Sequence, residues 1–326
     1  MDTVEFSRTV ARELVHRSSV TEVLVTGVLA RDEDTLDVGV QIPRSHAFYR
    51  DTVGCHHLYD PMVLVEAARQ TLIMLGHELF DMPFGTKFVL REIALREGNM
   101  SALAVHSVPT DVVLRCRVLR RFRDQTGVRG ARVVYTALVG DDVAATLECS
   151  MSWMPPGEWQ TMRDQGRVAL GLSPLLGPEA PQPPRDHKTL VDRRDAANVV
   201  LSGFQAPQDD QPAGTARLVV DIGHPVLFDH FVDHVPGMLT LEAFRQLSIA
   251  TAVATKALPS AAAWLSAVSA RFTGIGELDL PVTGESVLVR SDGPGAVLRC
   301  VLHQEGRSIA EGEVRLTRPG VQRGMA

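Results

Sequence analysis

Pro61-Met62-Val63-Leu64-Val65-Glu66-Ala67-Ala68-Arg69-Gln70 and Gly237-Met238-Leu239-Thr240-Leu241-Glu242-Ala243-Phe244-Arg245-Gln246 are one motif written twice, without gaps, at an offset of 176 residues. Further upstream, Leu14 to Gly27 falls on Leu190 to Gly203 at the same offset. Two separated blocks that share one spacing mark an internal duplication. From the motif outward, Met62 to Leu79 and Met238 to Ala257 are apolar nearly all round, rich in Ala, Leu and Met, and free of internal proline. That pattern predicts a buried helix in each half. Around it lie segments of period two, the mark of a largely antiparallel sheet. In the first half these are Thr35 to Ile42, Val112 to Val118, Arg132 to Val139 and Ala144 to Trp153; in the second, Arg217 to Ile222, Ser286 to Arg290, Ala296 to His303 and Ser308 to Leu316.

At 326 residues the chain is long for one core and suits two. We divide it into a first domain at 1–154, a Pro/Gly-rich linker with a possible short helix at 155–187, a second domain at 188–320 and a tail at 321–326. With 45% hydrophobic and 22% charged residues, both domains have an ordinary globular balance. A net charge of −6 gives no basic footprint, which argues against nucleic acid as a partner. Arg115, Arg117, Arg120, Arg121 and Arg123 resemble a basic strand edge: a solvated face, or a docking patch for an acidic carrier protein. Cys55, Cys116, Cys149 and Cys300 form no CxxC pair and no zinc-spaced set, so neither a metal nor a disulfide framework is expected. The N-terminal MDTVEFSRTVARELVHR lacks an apolar signal core and no run of about 18 apolar residues occurs, so a cytoplasmic chain without membrane contact is expected.

Residues three and four apart share a helix face, so Glu66 stands beside Arg69 and Gln70, and Glu242 beside Arg245 and Gln246. Burying a carboxylate, a guanidinium and an amide costs several kcal/mol unless they pair or serve a ligand. Two readings are open: an internal ion pair tying elements together, or a site. The loop His224-Pro225-Val226-Leu227-Phe228-Asp229-His230-Phe231-Val232-Asp233-His234-Val235-Pro236-Gly237-Met238 favours a site. It crowds proton-trading histidines against the N-terminus of a helix, whose free N–H groups suit oxyanions.

The stretch His224 to Gln246 resembles the signature of hot-dog-fold acyl-carrier-protein dehydratases, with His230 near the catalytic histidine and Glu242 on the catalytic acid. The first half departs from it. Arg50-Asp51 stands where His230 does and Pro61 replaces Gly237, leaving His56 and His57 as candidate substitutes. Over almost the whole chain the resemblance is to the A-factor biosynthesis (AfsA-type) family of γ-butyrolactone synthases. It is carried by VHRSSVTEVLVTG, QIPRSHAFYRD, DPMVLVEAARQ, FDHFVDHVPGMLTLEAFRQ and SARFTGIGELDLP.

That resemblance implies an α+β double hot-dog fold, each half an antiparallel sheet wrapped around a long central helix. It further implies an acyltransferase that moves a β-ketoacyl group from acyl carrier protein to the hydroxyl of dihydroxyacetone phosphate, without a cofactor. On this reading Glu242 is the general base, His230 or His234 shares proton traffic, and the backbone near Gly237 and Met238 binds the oxyanion. Arg245 holds the phosphate or orients Glu242. Glu66, Arg69 and Gln70 form the equivalent set in the first half, while Gln246, Asp233 and His57 are further substrate-binding candidates. An acyl-carrier-protein dehydratase or thioesterase, and a non-catalytic acyl-binding regulatory protein, are the alternatives. Since single hot-dog domains pair, a monomer is the first expectation for a covalent tandem and a homodimer the second.

Overall fold

The computed structural model describes residues 4–291 and 293–319; the tail expected at 321–326 lies outside the described residues. The first half contains β1 (Val25–Ala30), β2 (Thr35–Ile42), α1 (Met62–Glu78), β3 (Lys87–Arg96), β4 (Thr110–Asp124), β5 (Gly127–Val139) and β6 (Asp142–Met154). After α2 (Pro156–Ala169), the second half repeats the series as β7 (Leu201–Gln205), β8 (Ala213–Leu218), α3 (Gly237–Ala254), β9 (Trp264–Phe272), β10 (Thr283–Ser291), β11 (Gly295–Gln304) and β12 (Arg307–Thr317).

All these strands join one antiparallel, 12-stranded sheet in the order β1-β2-β4-β5-β6-β3-β9-β12-β11-β10-β8-β7. Matched copy to copy, this order reads the same from either end. The two halves meet where β3 pairs with β9, through Glu92↔Arg271, Ile93↔Ala270, Ala94↔Ser269 and Leu95↔Val268. Strand alternation sets which face is dry: on β4, Val112, Leu114, Cys116 and Val118 are buried while Arg115 and Arg117 face out. Helices α1 and α3 fill the dry side, and Met62 to Ala68 and Met238 to Ala252 are buried without interruption, as their all-round apolar sequences require.

Several expectations need correction. The second-half strand predicted at Arg217 to Ile222 lies at Ala213–Leu218. The apolar run beyond leaves the ladder, because the Val219 N–H donates to the Val200 carbonyl and that of Val220 to Gln182 Oε1. Strands β1, β3, β7 and β9 carry too little alternation to be read from sequence; β3 has no regular in-out pattern at all. The short helix expected within 155–187 is α2, which occupies 14 residues and buries Trp159, Arg163 and Arg167. The arginine run lies on β4, an interior strand between β2 and β5, not at an edge. Two of its five members are in ion pairs, Arg115 with Asp37 at 3.0 Å and Arg121 with Asp34.

Candidate functional site

Each helix motif sits at the bottom of a buried ion cluster, and in each the sequence reading had missed one member. Glu66 Oε2 accepts from Arg69 Nε at 2.8 Å, and its Oε1 accepts from Arg69 Nη2 and Gln70 Nε2, both at 2.8 Å, and from Arg17. In the second half Glu242 accepts from Arg245 Nε at 3.0 Å and Nη2 at 2.6 Å, from Gln246, and from Arg193 Nε at 3.3 Å, with Arg193 Nη2 2.9 Å away as an ion-pair contact. Arg17 and Arg193 lie at the duplication offset, inside the VHR and VDR of the upstream repeat. Burial alone would raise the pKa of Glu66, but Arg17 and then Arg69 outweigh it and hold the carboxyl down at about 2; Arg193 and Arg245 do the same for Glu242, also to about 2.

These clusters also clamp the halves together. Arg17 Nη1 donates to the Val226 carbonyl at 3.3 Å and Arg193 Nη1 to that of Phe48 at 2.7 Å, each across the pseudo-dyad. Asp229 accepts the N–H groups of Ser18 and Ser19 at 2.6 and 3.0 Å, and Asp51 accepts that of Asp195 at 3.1 Å. The loop before each helix therefore lies over the other half's cluster. Asp51, in equivalent contacts, is the counterpart of Asp229, so Thr52 stands where the second half has His230.

Above the first cluster is a cavity of about 740 Å³, within the range for small-molecule sites. His16, Arg17 and Lys87 line it from the first half, Trp159 and Arg163 from α2, and His230, Asp233 and His234 from the second-half loop. Phe84, Leu175 and Phe231 add an apolar rim that is 68%, 80% and 84% exposed. Among the cations there, Arg17 is paired with Glu66, Arg163 with Glu277, and Arg167 with Glu277 and Asp279. Among the described residues Lys87 has no carboxylate within ion-pair distance, although it lines the same space.

Two of the cavity's histidines are held neutral. Burial, then Arg69 and Arg17, push the pKa of His230 down to about 4 against the pull of Asp229 and Glu66. Its Nδ1 is buried without a hydrogen-bond partner, 3.8 Å from Asp229 Oδ2. Burial, then His77, Arg69, His230 and Lys87, push His16 to about 3. His16 Nε2 lies 3.0 Å from His77 Nε2, and His77 Nδ1 lies 2.7 Å from the Met82 carbonyl oxygen.

At the second cluster the corresponding space has closed. It measures about 10 Å³, room for one water at most, and its lining includes Thr52, Cys55, Asp60, Arg245 and Trp264. The first-half loop presses in closely: a Cβ on Gly54 would stand 2.2 Å from that of Ala262.

A family model described as the A-factor biosynthesis hotdog domain matches residues 2–155 and 179–318. The chain belongs to that family. Two relatives are both named 2-oxo-3-(phosphooxy)propyl 3-oxoalkanoate synthase. One, from Streptomyces virginiae, is 32% identical over 306 residues, covering 92% of this chain and 95% of the relative. The other, from Streptomyces griseus, is 29% identical over 300 residues, covering 91% and 92%. A 12:0-ACP thioesterase from Umbellularia californica resembles the structure at a TM-score of 0.48 with 11% identity, covering 86% of this chain and 93% of that one.

Within this A-factor biosynthesis hotdog chain the residues singled out from sequence separate into two places. Glu66, Arg69 and Gln70 lie behind the open cavity and reach it through Arg17, the member of their cluster that lines it, while His230, Asp233 and His234 line it from the second-half loop. Glu242, Arg245 and Gln246 make the other cluster, so the expected pairing of Glu242 with His230 is not met: the loop bearing His230 crosses to the first half. A free base is not what Glu242 presents either, because both its oxygens are engaged and it is fully buried. Arg245, committed to Glu242 and 2% exposed, is no open phosphate ligand.

Asp233 is occupied by His234 at 2.7 Å, Trp159 at 3.1 Å and Arg163 at 3.3 Å, which makes it a clamp on α2. Gly237 packs on Leu90 and Phe272, Met238 is buried, and neither lines the cavity. His57 is exposed and away from both spaces. Sequence reasoning missed Arg17, His16, His77 and Lys87. Only Arg17 had a signal, since VHR and VDR repeat with the arginine kept.

Proposed function

We propose that this chain transfers a β-ketoacyl group from acyl carrier protein to the hydroxyl of dihydroxyacetone phosphate, and that it does so only in the cavity over Glu66. The relatives' name describes the ester of a 3-oxo acid with a phosphorylated triose, which is the product of that transfer. One observation carries the choice of site. Between the halves the ion clusters are identical, Arg17-Glu66-Arg69-Gln70 against Arg193-Glu242-Arg245-Gln246, while the residues around them have diverged. At the same offset His16 becomes Asp192, His77 becomes Val253 and Lys87 becomes Ala263, and His230 is answered by Thr52. Imidazoles and a lysine ammonium occur at these positions only over the first cluster. The shared cluster is the frame, and the diverged lining is the chemistry.

The cavity offers what acyl transfer asks for. An attacking hydroxyl must lose a proton to a neutral base, and charge builds on the carbonyl oxygen. Neutral imidazoles line the space, and Arg17 and Arg69 supply a positive field under it. Lys87, unpaired, is suited to the triose phosphate as a point charge. The Phe84, Leu175 and Phe231 rim accommodates the acyl chain and its carrier arm. None of the cysteines is placed as a nucleophile: Cys55, for one, is pushed up to about 12 by burial, so the acyl group passes directly from sulfur to oxygen.

Incubation with β-ketoacyl carrier protein should release carrier thiol, and form an ester of the expected mass, only when dihydroxyacetone phosphate is present. Equal release without the triose would instead make the protein a thioesterase. Replacing Lys87 by Met should raise KM for the triose phosphate about tenfold or more, the scale of one charge-assisted hydrogen bond. An unchanged KM would remove Lys87 from the site.

A further inference from the structure

We propose that the base which takes the acceptor's hydroxyl proton is His16, acting through a two-imidazole relay whose second member is His77. The inference rests on the reading of the cavity given above and specifies which of its histidines does the work.

For a pair of neutral rings, hydrogen-bond geometry fixes the protons. The Met82 carbonyl can only accept, so His77 Nδ1, 2.7 Å away, carries a hydrogen. In the neutral ring His77 Nε2 is then bare. It therefore accepts from His16 Nε2 at 3.0 Å, and the His16 hydrogen sits on that nitrogen. Nδ1 of His16 is left as a lone pair with no partner among the described residues, on a side chain that lines the cavity. The ring is presented from an unusual backbone: His16 has φ 50° at the end of a short 3-10 turn, a conformation that few non-glycine residues adopt. His77 is set by contacts with the rings of Phe84 and Phe88. His230 has no such second imidazole, and its Nδ1 is enclosed.

In the step itself, the acceptor oxygen bonds to the thioester carbonyl carbon as its proton moves to His16 Nδ1, and the Nε2 proton of His16 passes to His77 Nε2. Collapse of the adduct breaks the C–S bond. The proton returns by the same path to the departing thiolate, giving the free carrier thiol. Because Lys87 is one of the charges that suppress the basicity of His16, a phosphate seated on Lys87 strengthens the base when the acceptor arrives. His230, over Arg17 and Arg69, is left to face the carbonyl oxygen.

The test uses the intact protein, the His16→Asn variant, chosen because Asn tolerates a positive φ, and His77→Phe, which keeps the aromatic packing. Transfer to dihydroxyacetone phosphate should fall by about 10² to 10⁴ in kcat with His16→Asn, the usual worth of a general base. Acyl transfer to hydroxylamine, which attacks without a base, should change only a few-fold. A similar fall with both acceptors, or no fall with the triose, overturns the proposal. His77→Phe should give a smaller, equally acceptor-selective loss. Histidine ¹⁵N spectra of the unaltered protein should show hydrogens on His77 Nδ1 and His16 Nε2, and the opposite tautomers would overturn it even if a variant failed to fold. Absence of triose-dependent thiol release by the unaltered protein is a separate result, which would sink the function and not only the relay.

Discussion

At the scale of single residues, the duplicated carboxylates predict opposite outcomes for what look like equivalent changes. Removing one partner from a buried ion cluster costs about 3–5 kcal/mol, because the remaining charges stay buried without compensation. Glu242→Gln should therefore lower the thermal transition strongly and leave kcat per folded molecule near normal, since its cluster borders no usable space. Glu66→Gln should lower both. Activity lost with Glu242→Gln in a protein still folded would move the chemistry to the second half. The same groups set an acid limit. Glu66 and Glu242 are held at about 2 against an ordinary 4.5, so their contribution to stability is complete above pH 4.5 and drains away as pH falls toward 2. Near-ultraviolet circular dichroism should find a loss of packing in that window, shallower in Glu242→Gln. From sequence, the acidic and basic members on one helix could be paired by periodicity alone. That Glu242 and His230 belong to different sites could not, because nothing local says that a loop crosses to the other copy.

Elements show the same division between what is local and what is not. Helices α1 and α3 and strands β4, β5, β6, β10, β11 and β12 were legible because each has one dry face, or is dry all round, and its sequence says so. The strands at the centre, β3 and β9, were not. Their partners are each other, across the two halves, and the apolar pairs there, Ile93 with Ala270 and Leu95 with Val268, are two residues long on each strand, too short a stripe to be read as alternation. Helix α2 was legible only as a short helix within a linker, because beside Trp159 its buried side chains are Arg163 and Arg167, which sequence reading counts as exposed. Arg163 grips Glu277 with two hydrogen bonds of 2.5 and 2.7 Å. Substituting Met there leaves Glu277 underpaired and should undock α2 from the cavity wall. Limited proteolysis between residues 155 and 187 should accelerate, and KM for the acyl carrier substrate should rise; a helix as resistant as before would show that the grip is incidental.

For the molecule as a whole, the seam between β3 and β9 already provides the pairing that separate hot-dog domains find in a second subunit. The full chain is accordingly expected to be a monomer by light scattering. A fragment of residues 1–154 alone would lose the Val226 carbonyl that Arg17 binds and would bare the edge of β3. It should be unstable, aggregating or pairing with itself through β3, and should recover a folded state when produced together with 179–326. A well-behaved monomeric fragment would contradict the clamp. Joining the copies in one chain has a further consequence. In a symmetric pair of identical subunits every change of sequence is imposed on both clefts at once, so an imidazole gained in one is gained in both, and neither can be filled without losing the other. Here a tryptophan could seal one cleft while a lysine and two histidines equipped its twin, and the sealed one became free to serve as masonry.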